Sequence, residues 1–335
     1  MQSALHAVVG PKKELHDLSG RTAIVTGGAN GIGFQISRQF AQAKAKVIMV
    51  NRKEEQGDEA IKQIKAETPD ADVDWVGCDL GSLKEVKEVF TDLREKLERL
   101  DLTRQLILSA GINTDKFDLD ADGIDRHFGV NYLGQFYAVN LLYPLIRKTS
   151  KLPNTPAPRI VFEASEVHRA APSDIHFGSL EEINNKDFGA THLYARSKLA
   201  LILLAKYLLP EKVFKKNGDR VYSLSVHPGT VNTQMQQTWK SAYPGIFGNM
   251  LSWAMQAVGR DVEQGSYSAL WAATSSEIEE KDLQGYYFVD PGQPGKETSQ
   301  ASDPALAEAL WNLSIKLIKE KVGEDALVPW DQEAS

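Results

Sequence analysis

Residues 23–33 read Ala-Ile-Val-Thr-Gly-Gly-Ala-Asn-Gly-Ile-Gly, and this stretch decides the fold class. Its apolar and β-branched beginning, Ala23–Thr26, predicts a short buried strand. The glycines that follow permit a tight turn, and a helical pattern begins at Ile32. A strand, a glycine-rich turn and a helix N-terminus together suit a pyrophosphate, because the helix end offers N–H groups and a positive dipole end. The stretch therefore predicts the first βα unit of a nucleotide-binding sheet.

Strand-like and helix-like segments alternate along the rest of the chain. Further buried strands are predicted at Lys46–Val50, Val73–Gly77, Leu106–Leu108, Arg159–Phe162 and Val221–Val226. Helices are predicted around Val86–Leu100, where apolar residues recur every three or four positions, and at Phe128–Ile146 and Tyr194–Leu209. Strands separated by helices imply a parallel sheet with helices on both faces, so the expected fold class is α/β, a Rossmann-type doubly wound sheet.

One domain accounts for this pattern. We predict an N-terminal extension over residues 1–19, a Rossmann-type domain over 20–320 and a C-terminal tail over 321–335. Two segments, about 166–193 and 231–260, are expected to form substrate loops, the second of them a helical lid. Phe128–Ile146 and Ser241–Gly259 each lack charge over 19 residues, but both contain polar residues, Gly or Pro, so no transmembrane segment is predicted.

Composition narrows the functional classes. The chain has 335 residues, 42% of them hydrophobic and 25% charged, as in an ordinary soluble protein. A net charge of −7 without long basic runs argues against a nucleic-acid partner. The one cysteine, Cys78, permits no internal disulfide, and the N-terminus has no signal-peptide pattern, so a cytoplasmic location is expected. No histidine lies in a metal-ligand pattern, and no metal site is predicted.

The residues after the second strand indicate the cofactor. The phosphate loop has the spacing Thr-Gly-x-x-x-Gly-x-Gly from Thr26 to Gly33. About 20 residues later, an acidic side chain would hold the ribose 2′-hydroxyl of NAD. The chain instead has Asn51 and Arg52 there, and an arginine suits a 2′-phosphate, which favours NADP(H). In the alternative, Arg52 is a solvated surface residue and Glu54 or Glu55 reaches the ribose. Asp79, after the third strand, is a candidate hydrogen-bond acceptor for the adenine amine or a helix cap.

Tyr194 and Lys198 form a candidate acid/base pair. Residues four apart on a helix share a face, so the spacing sets a phenol beside an ammonium. Free tyrosine titrates near pH ~10, and a cation ~4 Å away would lower its pKa by about three units at an effective dielectric of ~20. The pair would then serve as a general acid/base near neutral pH.

The joint order of these motifs resembles the short-chain dehydrogenase/reductase family. The matching residues span about Gly20 to Thr233 and comprise Thr26-Gly27-x-x-x-Gly31-x-Gly33, Asp79-Leu80, Ala110-Gly111, Asn131, Ser165, Tyr194-x-x-x-Lys198 and Pro228-Gly229. Further stretches are similar to the branch of retinol dehydrogenases and to fungal reductases, some of which act in secondary metabolism: Phe128-Gly-Val-Asn131-Tyr-Leu-Gly134, Ile175-His-Phe177, Ser225-Val-His-Pro-Gly229 and Gly285-Tyr-Tyr-Phe-Val289.

The resemblance implies a role for each matching residue. The catalytic set would be Asn131, Ser165, Tyr194 and Lys198. In this set, Tyr194 is the acid/base, Lys198 lowers its pKa and holds the nicotinamide ribose, Ser165 binds the substrate oxygen, and Asn131 holds a water beside Lys198. The implied NADP(H) contacts are Gly27, Asn30, Gly31, Ile32, Gly33, Asn51, Arg52, Asp79, Leu80, Ser109, Ala110, Gly111, Asn131, Tyr194, Lys198, Pro228, Gly229, Val231 and Thr233.

The chain departs from the family pattern at three points. Ser109 stands where the family commonly has asparagine, and Ala164 where it has a first serine. Glu163 ends a predicted buried strand, where a charge is costly unless it is paired. Two interpretations of Glu163 stay open: a partner inside a polar crevice, or contact with substrate.

Together these observations predict an NADP(H)-dependent oxidoreductase that interconverts a carbonyl and an alcohol of a lipophilic small molecule. Two interpretations stay open for the apolar residues that follow Thr233: walls of a large apolar pocket, or packing under the sheet. These residues are Met235, Trp239, Tyr243, Phe247, Met250, Leu251, Trp253 and Met255. Two alternatives are a non-catalytic NADP-binding regulator or scaffold, and a pocket recruited for cyclisation or isomerisation. The apolar helices Phe128–Ile146 and Tyr194–Leu209 also predict spare surface for a homodimer.

Overall fold

The computed structural model of the chain describes residues 16–97, 103–229, 231 and 260–333. Within them, eight strands form one sheet in the order β3-β2-β1-β4-β5-β6-β7-β8. All neighbouring strands pair in parallel except β7 and β8, which are antiparallel. The strands are β1 Thr22–Thr26, β2 Lys46–Asn51, β3 Val73–Gly77, β4 Thr103–Leu108, β5 Arg159–Glu163, β6 Tyr222–Val226, β7 Tyr287–Asp290 and β8 Gln293–Pro294.

Helices connect the parallel strands. The α-helices are α1 Gly31–Gln42, α2 Glu54–Glu67, α3 Leu83–Leu97, α4 Arg126–Phe128, α5 Gly134–Ser150, α6 Leu180–Ile183, α7 Ala190–Leu203, α8 Lys215–Asn217, α9 Val262–Thr274, α10 Glu277–Glu280 and α11 Pro304–Val322. Wider π-helical turns join α4 to α5 at Gly129–Leu133 and extend α7 at Leu204–Leu208 and Pro210–Phe214. The short 3₁₀ helices Glu166–Ala170 and Gln300–Ser302 complete the set.

The predicted parallel α/β sheet is confirmed. Each of the six strands expected from the sequence is present, with its ends shifted by no more than a few residues. Strands β7 and β8 and helix α11 were not predicted. Successive side chains of a strand point to opposite faces of the sheet and enter two apolar layers: Ile160 and Phe162 face one side, and Val161 faces the other.

The two layers cover both faces of the sheet. Side chains of α1, α2 and α9 pack on one face, and those of α3, α5 and α7 on the other. Phe40 of α1 and Phe90 of α3 are each fully buried. Burial of one such side chain stabilises the fold by roughly 1.5–3 kcal/mol, so the layers hold the strand ends, and the site built on them, in place.

The C-terminal segment covers α5. The Tyr137 hydroxyl donates to the carbonyl of Ala326, and Asn140 exchanges two hydrogen bonds with the main chain of Val328. The Trp330 ring lies edge-on to Phe136, with 6.0 Å between the centroids. Residues 321–335, predicted as a separate tail, thus continue the packed domain as far as they are described.

This packing changes the expectation about the homodimer. α5 and α7 were expected to leave apolar surface free, but nearly all of their residues are buried within the chain. The prediction of free apolar surface on these two helices was wrong, because α11 and the segment after it occupy that surface.

Two further expectations concern other parts of the chain. Among the described residues, no helix is long and apolar enough to cross a membrane. The predicted lid, residues 231–260, lies outside the described residues apart from Val231 and Arg260, which form an isolated parallel bridge.

Candidate active site

A cavity opens where the sheet changes winding direction. The chain runs outward from β1 to β2 and β3, then returns to β4 and continues to β5, β6 and β7. Connections therefore diverge between β1 and β4, and the crevice beyond their carboxyl ends is the usual ligand site of such sheets. A cavity of about 440 Å³ lies there. Residues that follow β1, β2, β3, β4, β5 and β6 line it, together with Tyr194 and Lys198 of α7.

The glycine loop forms the floor of the cavity. Asn30 caps α1, its side chain accepting the Gly31 N–H at 2.8 Å. Gly31 has φ of +56°, a left-handed conformation, and a Cβ added there would meet no atom within 4 Å. A Cβ on Gly33 would lie 2.3 Å from the Gly27 carbonyl oxygen. The glycines thus let the turn close tightly while leaving open space before the N–H groups of α1.

Asn51 and Arg52 lie at the end of β2, on the cavity wall. The Asn51 oxygen accepts the Trp75 indole N–H at 2.7 Å, so this side chain is held against β3. Arg52 Nη1 lies 3.3 Å from Asp79 Oδ2, and its side chain is 51% exposed. A guanidinium at the rim with one exposed carboxylate partner is free to pair with an anion in the cavity.

Asp79 makes a second contact. Its Oδ1 accepts the Gly81 N–H at 2.9 Å, and its own N–H donates to Glu85 Oε1 at 2.8 Å. Ser82 Oγ accepts the Glu85 N–H, so Ser82 and Glu85 cap α3. Asp79 thus holds both the turn into α3 and the guanidinium of Arg52, and an adenine contact stays a prediction.

Asn131 lies behind the cavity wall, in the π-helical turn Gly129–Leu133. Its side chain accepts from Ile112 N at 2.7 Å and donates to Ile112 O and Ser197 Oγ. Its remaining acceptor capacity is near Lys198, since a Cβ on Gly111 would lie 3.5 Å from both Asn131 Oδ1 and Lys198 Nζ. The absent side chain of Gly111 leaves room between these two groups, although a bridging water stays a prediction.

Gln135, which the sequence reasoning missed, braces the same wall. Its side-chain nitrogen donates to the carbonyls of Ala110 and Asn131, both at 2.8 Å. Thr26 Oγ1 accepts the Ala110 N–H at 3.1 Å. Because a Cβ on Gly27 would lie 2.8 Å from Ala110 Cα, the end of β4 and the glycine loop are in close contact.

Ser165 follows β5 and begins the 3₁₀ helix Glu166–Ala170. Its Oγ accepts the Val167 N–H at 3.1 Å, which leaves the hydroxyl proton available to a partner in the cavity. A ring nitrogen of His168 lies 2.7 Å from the Ser165 carbonyl oxygen and holds the main chain at this point. The Ser165 and Tyr194 side chains belong to the lining of the same cavity.

Tyr194 and Lys198 meet in a different geometry from the predicted one. Lys198 Nζ lies 5.5 Å from the centroid of the Tyr194 ring and donates to the Glu163 carbonyl oxygen at 2.7 Å. Burial and the nearby Glu163 carboxyl group together raise the pKa of Tyr194 above its usual value. The net change in the pKa of Tyr194 is therefore a rise, and not the lowering by Lys198 that the helical spacing predicts. The phenol is held protonated.

Glu163 is the unusual residue of the site. It is 5% exposed, it lines the cavity, and its Oε1 has no hydrogen-bond partner among the described residues. Burial raises the pKa of the Glu163 carboxyl to about 8, while Lys198 acts in the opposite direction. Burial also lowers the pKa of Lys198 to about 8. Among the described residues, therefore, neither an arginine nor a backbone donor pairs with the Glu163 carboxyl group.

The far end of the cavity is formed after β6. His227, Pro228, Gly229 and Val231 line it. Burial lowers the pKa of His227 to about 4, so its imidazole is neutral near pH 7. Thr233, predicted as an NADP(H) contact, lies outside the described residues.

The cavity fits an elongated dinucleotide. The open space at Gly31 adjoins the start of α1, where the first N–H groups of a helix have no partner within it. The lining of the cavity includes the Arg52 guanidinium, the start of α1 and the Tyr194–Lys198 pair. A dinucleotide with its pyrophosphate at α1 would be held by Asn30, Gly31, Ile32 and Arg52 on one side and by Lys198 on the other.

Comparison with known proteins is consistent with this geometry. A family model described as short chain dehydrogenase matches residues 21–168. Short chain dehydrogenase/reductase dpchH of Colletotrichum higginsianum is 30% identical over 320 residues, covering 91% of this chain and 77% of the relative. The chain belongs to the short-chain dehydrogenase/reductase family.

Two further similarities agree with that assignment. The polyprenol dehydrogenase of Danio rerio is 32% identical over 313 residues, which cover 91% of this chain and 89% of that protein. The crystal structure of an uncharacterized protein from Mycobacterium paratuberculosis superposes with a TM-score of 0.66 at 25% identity, covering 91% of this chain and 96% of that one.

The structure brings most predicted site residues of this family member together. All the predicted cofactor contacts that are described line one cavity, except Asn131, which lies just behind it. Sequence reasoning missed other lining residues, among them Val50, Lys53, Gln56, Ile112, Val167 and His227. Lys53 and Gln56 lie within five residues of Arg52, and their closeness to it was the available signal.

Proposed function

We propose that this oxidoreductase transfers hydride between NADP(H) and the carbonyl or alcohol carbon of a lipophilic small molecule, with Tyr194 as the general acid/base. One observation carries the proposal: Tyr194, Ser165 and Lys198 line the same cavity as the glycine loop and Arg52. The proposed proton donor, the hydroxyl that would bind the substrate oxygen, and the groups that would bind phosphate therefore line one cavity.

Tyr194, Ser165 and Lys198 have different roles in the proposed carbonyl reduction. Bound NADPH supplies the hydride that reaches the carbonyl carbon. The Tyr194 hydroxyl gives its proton to the carbonyl oxygen, and the Ser165 hydroxyl donates a hydrogen bond to the same oxygen. The raised pKa of Tyr194 suits the acid role, because the phenol is protonated before the reaction. Lys198, beside the tyrosine ring, is placed to bind the nicotinamide ribose and to stabilise the phenolate once the proton has left.

Support for NADP(H) over NAD(H) comes from the end of β2. Asn51 is held by Trp75, and Arg52 follows it at the rim of the cavity. Among the described residues, no acidic side chain lines the wall at residues 50–56, while Lys53 adds a second positive group there. A 2′-phosphate would therefore meet cations where a 2′-hydroxyl would lack its usual carboxylate acceptor.

Support for a lipophilic substrate is of two kinds. The polyprenol dehydrogenase of Danio rerio carries a name that denotes a long apolar alcohol. The chain between Val231 and Arg260 is rich in Trp and Met. Such side chains suit an apolar substrate next to a polar catalytic corner.

The direct test is oxidation of NADPH and NADH by the purified protein with apolar ketones, aldehydes and quinones, followed by absorbance. We expect turnover with NADPH and at least one apolar carbonyl, with a lower KM for NADPH than for NADH. A protein that binds NADPH yet turns over none of these carbonyls, and none of the matching alcohols with NADP⁺, would favour the non-catalytic alternative.

A further inference from the structure

Glu163 has a buried carboxyl group with an oxygen that the described residues leave without a hydrogen-bond partner. The residue ends β5 beneath the cavity, and Oε1 of its carboxyl group has no hydrogen-bond partner. Among the described residues no ion pair reaches this carboxylate. Lys198 Nζ donates instead to the main-chain carbonyl of the same residue. Burial makes the charged form of this carboxyl costly, and a cationic group brought beside it by a ligand would stabilise that form.

The neighbouring titratable groups supply no second cation. Tyr194, on α7, stays protonated and neutral because burial and Glu163 raise its pKa. His227, after β6, is neutral because burial lowers its pKa to about 4. Lys198 is the remaining positive group facing Glu163, and burial lowers its pKa as well. In its charged form, the Glu163 carboxylate therefore has Lys198 as its one cationic neighbour among these described groups.

The proposed reaction brings a positive charge to this corner. Hydride and proton go to the two ends of one carbonyl bond, so the nicotinamide ring must lie within a few ångströms of the Tyr194 hydroxyl. Reacting atoms in such a complex are about 3–3.5 Å apart. The oxidised nicotinamide ring is a cation, whereas the reduced ring is neutral. The oxidised and reduced cofactors therefore differ in charge at the part of the cavity that Glu163 lines.

We propose that Glu163 is a redox-selective binding residue, whose carboxylate stabilises the oxidised, cationic nicotinamide ring over the reduced ring. The inference rests on the proposed function and adds to it a residue outside the four implied by the family resemblance. Tighter binding of the oxidised cofactor would make the bound reduced cofactor a stronger hydride donor.

The preference of the site for the oxidised over the reduced nicotinamide ring should increase with pH. Glu163 is largely protonated below its pKa of about 8 and charged above it. Binding of the oxidised ring favours the charged carboxylate, so it releases a proton near pH 8 that binding of the reduced ring does not. Lys198 loses its charge in the same range, and the contribution of Glu163 is therefore isolated by comparing proteins that differ only at this residue.

The test measures dissociation constants for NADP⁺ and NADPH by calorimetry at pH 6.5 and 9, for the wild type, Glu163→Gln and Glu166→Gln. Glutamine keeps the shape of the side chain and removes its charge. Glu166 is the matched control, because its carboxylate is already bonded to Tyr287 and Arg169 and does not line the cavity.

At pH 9 we expect Glu163→Gln to raise the ratio of the NADP⁺ to the NADPH dissociation constant about tenfold, equivalent to about 1.4 kcal/mol. The change at pH 6.5 should be smaller, and Glu166→Gln should leave the ratio within twofold at both pH values. Equal ratios in the wild type and Glu163→Gln at pH 9 would overturn the inference while leaving the proposed function intact.

A second measurement uses only the wild type. Calorimetry at pH 8 in buffers of different ionisation enthalpy counts the protons released on binding. We expect more release with NADP⁺ than with NADPH, and equal release would contradict the inference even if the glutamine variant failed to fold. Absence of binding by either cofactor would overturn the proposed function as well. Repeating the titrations with NAD⁺ and NADH separates the ring effect from that of Arg52.

Discussion

Tyr194 and Lys198 lie one helical turn apart on α7, but their spacing alone does not determine their chemistry. The ammonium lies 5.5 Å from the ring centroid and donates to a carbonyl of β5, while Glu163 and burial raise the pKa of the phenol. The sequence identifies both residues and their shared helix face. It cannot give the pKa, which depends on burial and on a carboxyl group that lies 31 positions earlier in the chain.

Arg52 shows that the sequence also predicts only part of the cofactor site. The sequence predicts a cation after β2, and the structure adds that Asp79 is its partner in the free protein. A side-chain contact over 27 positions depends on how β2 and β3 end beside one another, which local patterns do not report.

At Arg52 we predict a cofactor-specific loss. Arg52→Ala should raise the KM for NADPH about tenfold or more and that for NADH less than twofold, because a charged hydrogen bond to the 2′-phosphate is worth roughly 1.5–3 kcal/mol. Steady-state kinetics with both cofactors measure this. Arg220→Ala is the matched control, since the Arg220 side chain is 49% exposed against 51% for Arg52. Equal increases for the two cofactors would contradict the assignment.

At His227 we predict a change in acid stability. Its pKa is about 4 in the folded protein and about 6.5 when unfolded, so the unfolded state binds more protons between these values. The contribution of neutral His227 to the free energy of unfolding is fully present above pH ~6.5. It is lost as the pH falls, by up to about 2 kcal/mol at pH 5. Thermal melts at pH 7 and 5 should therefore show a smaller loss in His227→Asn than in the wild type. A parallel decrease in both proteins would refute the pKa shift.

At the scale of elements, the predictable parts are those with strong local signals. β1, the glycine turn and α1 follow directly from residues 23–33, and the buried strands follow from short apolar runs. β7 and β8 were missed because four residues and two residues, the latter ending in Pro294, are too short to show a period. Helix α11 did offer a signal, namely Asp303 as cap and Pro304 at the first helical position.

The tight turn between β1 and α1 gives a prediction at this scale. Gly33→Ala should lower stability by about 2 kcal/mol and weaken NADPH binding, because its Cβ would lie 2.3 Å from the Gly27 carbonyl oxygen. Gly178→Ala is the control, since a Cβ there would make only an ordinary contact of 3.5 Å with Glu182. Denaturant melts and cofactor titration check both variants. A Gly33→Ala protein as stable as Gly178→Ala would show that the turn is looser than described.

At the scale of the whole molecule, the C-terminal segment decides which surfaces are free. α5 and α7 are apolar on nearly all sides, which the sequence analysis interpreted as a surface for a second copy. α11 and the main chain at Ala326 and Val328 occupy that surface instead. Composition reports how apolar a helix is, but which segment covers it is a property of the complete fold.

Sedimentation provides the corresponding prediction. We expect the mass of one chain, 37.1 kDa, at micromolar concentration, because the two helices expected to pair are buried within the chain. A dimer that persists on dilution would contradict this expectation.

The central claim is that Tyr194 is the proton donor of a carbonyl reduction. Single-turnover oxidation of bound NADPH by the wild type and Tyr194→Phe tests it most directly, with the dissociation constant of NADPH measured alongside. We predict that Tyr194→Phe binds NADPH within a few-fold of the wild type but reduces the carbonyl at least about 100-fold more slowly, the usual contribution of a general acid. An unchanged rate of hydride transfer in Tyr194→Phe would contradict the account.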